Sequence, residues 1–199
     1  MREELIKGEL FGILKEQLAK KLTYHSINHT KDVLNVCKFY IDHYKIDAHD
    51  ASLLRIAAAG HDVGFIETYR DHEKASARIT SKLMRKHDYS KSDIKKVKDL
   101  ILATKIPQDP NTFLATILCD ADLDYLGRDD FETIGKSLKE EWQSYSIFPN
   151  LDEIFDAIQI KFLSSHTYHT DFARTNRAPA KLKHLEKLVA SEEERLAEK

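Results

Sequence analysis

The chain has 199 residues, with 31 Lys and Arg against 33 Asp and Glu, a net charge of −2 and two cysteines. That balance excludes a strongly cationic nucleic-acid binder, and no apolar stretch approaches the ~20 residues needed to span a bilayer. Cys37 and Cys119 fall in apolar helical patterns without CxxC or zinc-ligand spacing, so they read as reduced core residues.

The pattern is helical nearly throughout. There are only 6 Gly and 4 Pro, and alternating strand-like runs are almost absent. The N-terminal segment is amphipathic, with Leu5, Leu10, Ile13, Leu14 and Leu18 on one face. It lacks the apolar core and cleavage site of a signal peptide, so a cytoplasmic location is expected. Over residues 29–45, Val33, Val36, Cys37, Tyr40, Ile41 and Tyr44 recur at helical spacing. Residues 48–62 read as a third helix, mostly apolar and therefore central. Gly60 and Gly64 bracket its end, where glycine tolerates φ > 0 and lets backbone approach closely.

Helices are predicted over about 72–87 and 91–104, followed by a loop at 105–111 with two prolines. Residues 113–126 form an apolar helix, and three more helices follow at about 129–146, 151–165 and 171–197. The last ten residues read as a solvated helix end or a frayed tail. The fold class is all-α. One domain is expected over 1–199, with a core over about 22–126 and a helical extension over about 127–199.

Three segments carry the chemistry. Residues 57–65 read AAAGHDVGF, which puts the adjacent His61 and Asp62 at the inner end of a buried helix. An imidazole beside a carboxylate is costly to bury there without a partner. A divalent cation is the obvious one, because neutral imidazole and carboxylate are both metal ligands. Upstream, YHSINH at 24–29 offers His25 and His29, four apart and so on one face of a helix. The plainer alternative makes them helix-start residues with Asn28 as N-cap. Downstream, LCDADLDYLG at 118–127 offers Asp120, Asp122 and Asp124. Alternate residues on a helix differ by about 200° in direction, so Asp120 and Asp122 face nearly opposite ways while Asp120 and Asp124 share a face.

In that order the segments resemble the HD-domain metal-dependent phosphohydrolase superfamily, over roughly residues 22–126. YHSINH is similar to the Tyr-His-x-x-x-His string of cyclic-nucleotide phosphodiesterases in that superfamily, and Ala121-Asp122-Leu123 to their Ala-Asp-Leu ligand segment. The resemblance implies an HD-type helical bundle with additional C-terminal helices, close to the small single-domain bacterial members. It implies His29, His61, Asp62 and Asp122 as metal ligands, with His25 a general acid and Asp62 either orienting the attacking water or bridging to a second ion. Asp120 is then a fallback ligand or a group orienting a ligand histidine, and Asp124 is expected on a solvated face. One tightly bound divalent ion (Mn, Fe, Mg, Co, Ni or Zn) is implied, acting on a nucleotide or other small phosphoester. The competing readings are a catalytically silent ligand-binding module and a di-iron oxygenase, which would enlist His72 or His87 as further ligands.

Glu67, Arg70, Asp71, His72 and Glu73 follow the pair closely and suit acid–base or phosphate-binding roles, His72 above all as a catalytic or substrate-facing residue. Alternatively 71–73 is an ordinary charged first turn, where acids suit the helix dipole. Arg70, Arg78 and Lys105 are candidates to steady a phosphate. His166, His169 and Arg174 either supply substrate contacts or belong to a polar helix connection. His87 reads as a solvated helix end, and His43, His49 and His184 as surface residues.

Overall fold

Helical periodicity becomes helix in each segment that shows it. The computed structural model describes residues 2–197, and among these there are ten α-helices, two short 3₁₀ turns and no strand. The helices are α1 (Arg2–Gln17), α2 (Ile27–Tyr44), α3 (Ala48–Gly60), α4 (His72–Lys86), α5 (Lys91–Ala103), α6 (Phe113–Asp122), α7 (Phe131–Ser144), α8 (Leu151–Ser165), α9 (Asp171–Asn176) and α10 (Ala178–Ala197). The 3₁₀ turns are Val63–Ile66 and Asp124–Gly127. No helix among the described residues is long and apolar enough to cross a membrane. Two compact units divide the chain between Asp122 and Leu123. The first takes in α1 as well as the metal-binding core expected over 22–126, and it ends at Asp122 rather than near 126.

In the first unit α3 is central and touches α1, α2, α4, α5 and α6. Its C-terminal half is apolar nearly all round, as such a position requires, and Arg55 is paired with Glu3 of α1. Leu53, Leu54, Ile56 and the three alanines at 57–59 are fully buried, and each large side chain contributes ~1.5–3 kcal/mol by leaving water. Asp47 starts the helix by accepting from the N–H groups of His49 and Asp50 at 3.0 and 3.1 Å. On α1 the buried row is Ile6, Leu10 and Leu14, while Leu5 is exposed, so the inner face is turned from the one expected.

Close packing, not a left-handed backbone, explains Gly60 and Gly64, since no described glycine has positive φ. A Cβ on Gly60 would lie 2.3 Å from Thr80 Oγ1, and one on Gly64 would lie 2.1 Å from the His72 carbonyl oxygen. Helix α4 is thus pressed against the segment that carries His61 and Asp62. Helix α2 begins at Ile27 with Ser26 in the cap position, not Asn28. Helix α6 stops at Asp122, where a helix continuing to 126 was expected.

The second unit is α7 to α10 with the turn Asp124–Gly127. Helix α10 packs on α8, α9 and that turn. The helix expected over 171–197 is broken at Arg177, between α9 and α10. Pro179, in the first turn of α10, accounts for the break, and Arg177 at that point reaches Asp124. Expected on a solvated face, Asp124 is 1% exposed, with Arg177 Nε 2.8 Å from its Oδ1 and Arg128 Nη1 3.4 Å from its Oδ2. A buried carboxylate needs such partners. The Tyr168 hydroxyl donates to the carbonyl oxygens of Leu123 and Asp124 at 3.2 and 3.4 Å. His184, expected at the surface, stacks on Phe131 with its Nε2 2.9 Å from the Arg128 carbonyl oxygen. Of the expected C-terminal tail, residues 198 and 199 lie outside the described residues, as does residue 1.

Candidate metal centre

Three helix ends deliver the side chains. His29 stands in the first turn of α2, His61 directly follows α3, and Asp122 closes α6. His61 keeps a helical backbone (φ −60°, ψ −36°), and its Nδ1–H donates to the Ala58 carbonyl at 2.8 Å. That bond fixes the tautomer and leaves Nε2 with the lone pair whenever the ring is neutral. Asp62 then departs from the helix (φ −108°, ψ 3°), which turns its carboxylate toward the histidines.

The ligand atoms converge. Nε2 of His29 lies 3.1 Å from Asp122 Oδ1 and 3.3 Å from His61 Nε2, and His61 Nε2 lies 3.4 Å from Asp122 Oδ1. Asp62 Oδ2 is 3.4 and 3.2 Å from the same two nitrogens. Donors about 2.1 Å from a common cation sit roughly 3.0–3.4 Å apart at octahedral or tetrahedral angles. All five separations match that spacing within 0.1 Å or less. Asp62 Oδ2 is buried and, apart from those two imidazole nitrogens at ion-pair distance, meets no hydrogen-bond donor. The trio His29, His61 and Asp122 therefore fits a divalent ion, with all its ligand atoms within 4.8 Å of one another, and Asp62 adjoins both histidines.

The electrostatics are those of a closely coupled site. Burial alone would lower the His61 pKa, but the charge of Asp62 and hydrogen bonds to Asp122 and Asp62 raise it well above the ordinary imidazole value. Burial would raise the Asp122 carboxyl, but His29 and His61 outweigh it and bring it down to about 2. Asp62 is likewise held well below the carboxylate range, burial being overcome by His61 and His72.

A second layer surrounds these groups. His72 Nε2 is 3.3 Å from Asp62 Oδ1, and its Nδ1 is 3.4 Å from the Tyr69 carbonyl oxygen. Phe65 stacks on both His25 and His72, with ring centroids 4.1 and 3.9 Å apart, and His25 lies 6.2 Å from His29 ring to ring. Glu73 is buried beside His72, its Oε1 3.7 Å from His72 Nε2. Asp71, in the left-handed region at φ 54°, precedes α4 and pairs with Lys105.

The structure thus brings His25, His29, His61, Asp62, His72 and Asp122 together. Glu73 joins them, so 71–73 is more than a charged first turn. Asp120 is buried but outside the trio. His87 stands one helix length from His72 on α4 and binds Glu9 Oε1 at 2.6 Å, so it is neither a solvated end nor a ligand of this centre. Arg78 is paired with Glu67, while Arg70 is exposed. His166, His169 and Arg174 belong to the second unit. There burial takes His166 down to about 3, and Arg174 pairs with Asp171. His43 and His49 are exposed, as expected. Sequence reasoning missed the Phe65 stack and the burial of Glu73. The inward row Glu73, Ser76, Ala77, Thr80 on α4 was the available signal, small residues continuing in one helical stripe from an acid.

Residues 26–124 match the family model of the HD domain, and all four candidate ligands lie inside the match. No curated protein and no solved structure matches the chain.

Proposed function

Because the chain belongs to the HD-domain superfamily, in which metal-dependent hydrolysis is common, we propose that it is a metal-dependent phosphohydrolase acting on a nucleotide or another small phosphoester. One observation carries the reading: two imidazole nitrogens and two carboxylates from three distant segments meet at ligand spacing, with His61 and Asp62 buried.

His29, His61, Asp62 and Asp122 would hold one tightly bound ion. The mixed nitrogen and oxygen set suits Mn, Fe, Co, Ni or Zn and admits Mg. When bound, such an ion lowers the pKa of a coordinated water and offsets charge developing on the phosphoryl group. The remaining work falls to the chain. The Ala58 carbonyl keeps His61 Nε2 free to coordinate. Asp62 orients the attacking water, and His72 steadies the Asp62 carboxylate through its other oxygen. His25, held by its stack on Phe65, delivers a proton to the leaving oxygen. Phe65 and Tyr24, which stacks on His29, keep bulk water from that side of the centre.

The test is elemental analysis of the purified protein together with a nucleotide and phosphoester panel assayed with Mg²⁺, Mn²⁺, Co²⁺ and Ni²⁺. The expected result is at least one ion per chain and hydrolysis of some panel member, both abolished in Asp62→Ala. Metal retention with no turnover on any member would replace this reading with a ligand-binding module.

A further inference from the structure

Gly135, inside α7, has no packing reason to be glycine. The crowding that requires glycine at positions 60 and 64 is absent, because a Cβ on Gly135 would meet nothing within 4 Å beyond its own helix backbone. Yet the residue is buried, and glycine inside a helix is less favourable than alanine. The space beside it is a cavity of about 260 Å³, built wholly from the second unit and partly open to solvent. Phe131 of α7, Phe155 of α8 and Leu188 of α10 give it apolar walls.

Gln159 gives the cavity one polar point. It lines the space at 4% exposure, and its Oε1 is buried with no hydrogen-bond partner among the described residues. A buried carbonyl that meets no donor is costly. The charges around the cavity cancel, since Lys136 and Lys139 are matched by Glu132 and Asp156. Two of these are also engaged elsewhere, Lys139 with Asp152 and Glu132 with Lys187. The cavity therefore favours neither anions nor cations. Apolar cavities of ~150 Å³ hold benzene, so this one has room for a ring with a small substituent.

We infer that this cavity is a binding site for a small uncharged aromatic molecule carrying one hydroxyl or ring N–H. The ring lies among Phe131, Phe155 and Leu188, and its donor reaches Gln159 Oε1. The site shares no residue with the metal centre, whose candidate ligands all belong to the first unit.

The full-length protein is titrated with para-fluorophenol and with fluorobenzene, and binding is read by fluorine NMR and by the indole N–H resonance of Trp142. That resonance is unique in the chain, and Trp142 packs against Phe155 with ring centroids 5.9 Å apart. Wild type is expected to bind the phenol saturably and about tenfold tighter than fluorobenzene, the worth of one hydrogen bond to a group otherwise left unsatisfied. The Trp142 resonance should shift with the same midpoint. Gln159→Leu should bind the two compounds equally. Gly135→Leu, whose side chain fills the space and suits a helix better than glycine, should bind neither. No saturable binding to wild type, binding without a Trp142 shift, or undiminished binding in Gly135→Leu overturns the site. A preference for the phenol that survives in Gln159→Leu overturns the role of Gln159. The wild-type Trp142 shift decides the location even if a variant fails to fold.

Discussion

At the scale of single residues, protons and the metal compete for the same atoms. Without metal, Asp62 and Asp122 raise His61 well above the ordinary imidazole value, which favours the protonated ring. An imidazolium cannot ligate, and binding must expel that proton. Apparent metal affinity should therefore rise between pH 6 and pH 8, with proton release visible as a buffer-dependent enthalpy in calorimetry. An affinity flat across that window would mean the His61 ring is not a ligand. The same groups give metal-free stability a defined pH dependence. The raised His61 contributes below about 6.5 and its contribution is lost as pH climbs through its folded pKa. The depressed Asp62 and Asp122 contribute above about 4 and lose it on acidification, Asp122 as pH falls toward about 2. Asp122→Asn retains the shape and removes the charge. It should weaken metal binding by more than the ~10–100-fold typical of outer-layer partners, as read by competition with a chelating dye.

At the scale of elements, the centre depends on how tightly α4 lies on the turn after α3. Gly64→Ala would drive a methyl into the His72 carbonyl and Ser76 backbone nitrogen, neither of which can step aside. Destabilisation of about 1–3 kcal/mol is expected, together with weakened metal binding because His72 and Asp62 move apart. Gly60→Ala meets mainly the Thr80 side chain, whose hydroxyl is buried without a partner. The pair Gly60→Ala/Thr80→Ala should thus melt above Gly60→Ala alone, and a double variant no more stable than the single one would refute the contact. These two glycines also show what a sequence discloses. Their positions beside His61 and Asp62 were conspicuous and the need for close approach was legible, but the partners Thr80 and His72 were not, because nothing local says which helix will press there. The all-α class and the central α3 were readable from periodicity, while the choice of Asp122 over Asp120 came from the family resemblance. The end of α6 at Asp122 was not readable, since the apolar pattern runs on through Leu123, Tyr125 and Leu126 and only the packing decides where the helix stops.

At the scale of the whole molecule, the second unit is built around a buried charge that periodicity hides. Asp124 follows the helix that bears Asp122, and by spacing alone it belonged with the solvated acids. In the fold it pairs with Arg177, fifty-three positions on, at the break that Pro179 imposes on what reads as one long C-terminal helix. Removing the arginine is the informative change. Arg177→Met keeps the aliphatic bulk but leaves a carboxylate 1% exposed with only the longer 3.4 Å contact to Arg128. Breaking a fully buried pair costs roughly 3–5 kcal/mol, and with Arg128 still present and Arg177 itself partly exposed a loss of about 2 kcal/mol is expected. The sole tryptophan, Trp142, packs edge-on against Phe148 and Phe155 within this unit, so its fluorescence reports the unfolding directly. The urea midpoint followed by that signal should fall in Arg177→Met with little change in slope, because the surface exposed on unfolding is nearly the same. Asp124→Asn should fall less, since an amide can be buried more cheaply than an unpaired carboxylate. If Arg177→Met unfolds at the wild-type midpoint, Arg128 alone is enough to offset the buried charge of Asp124.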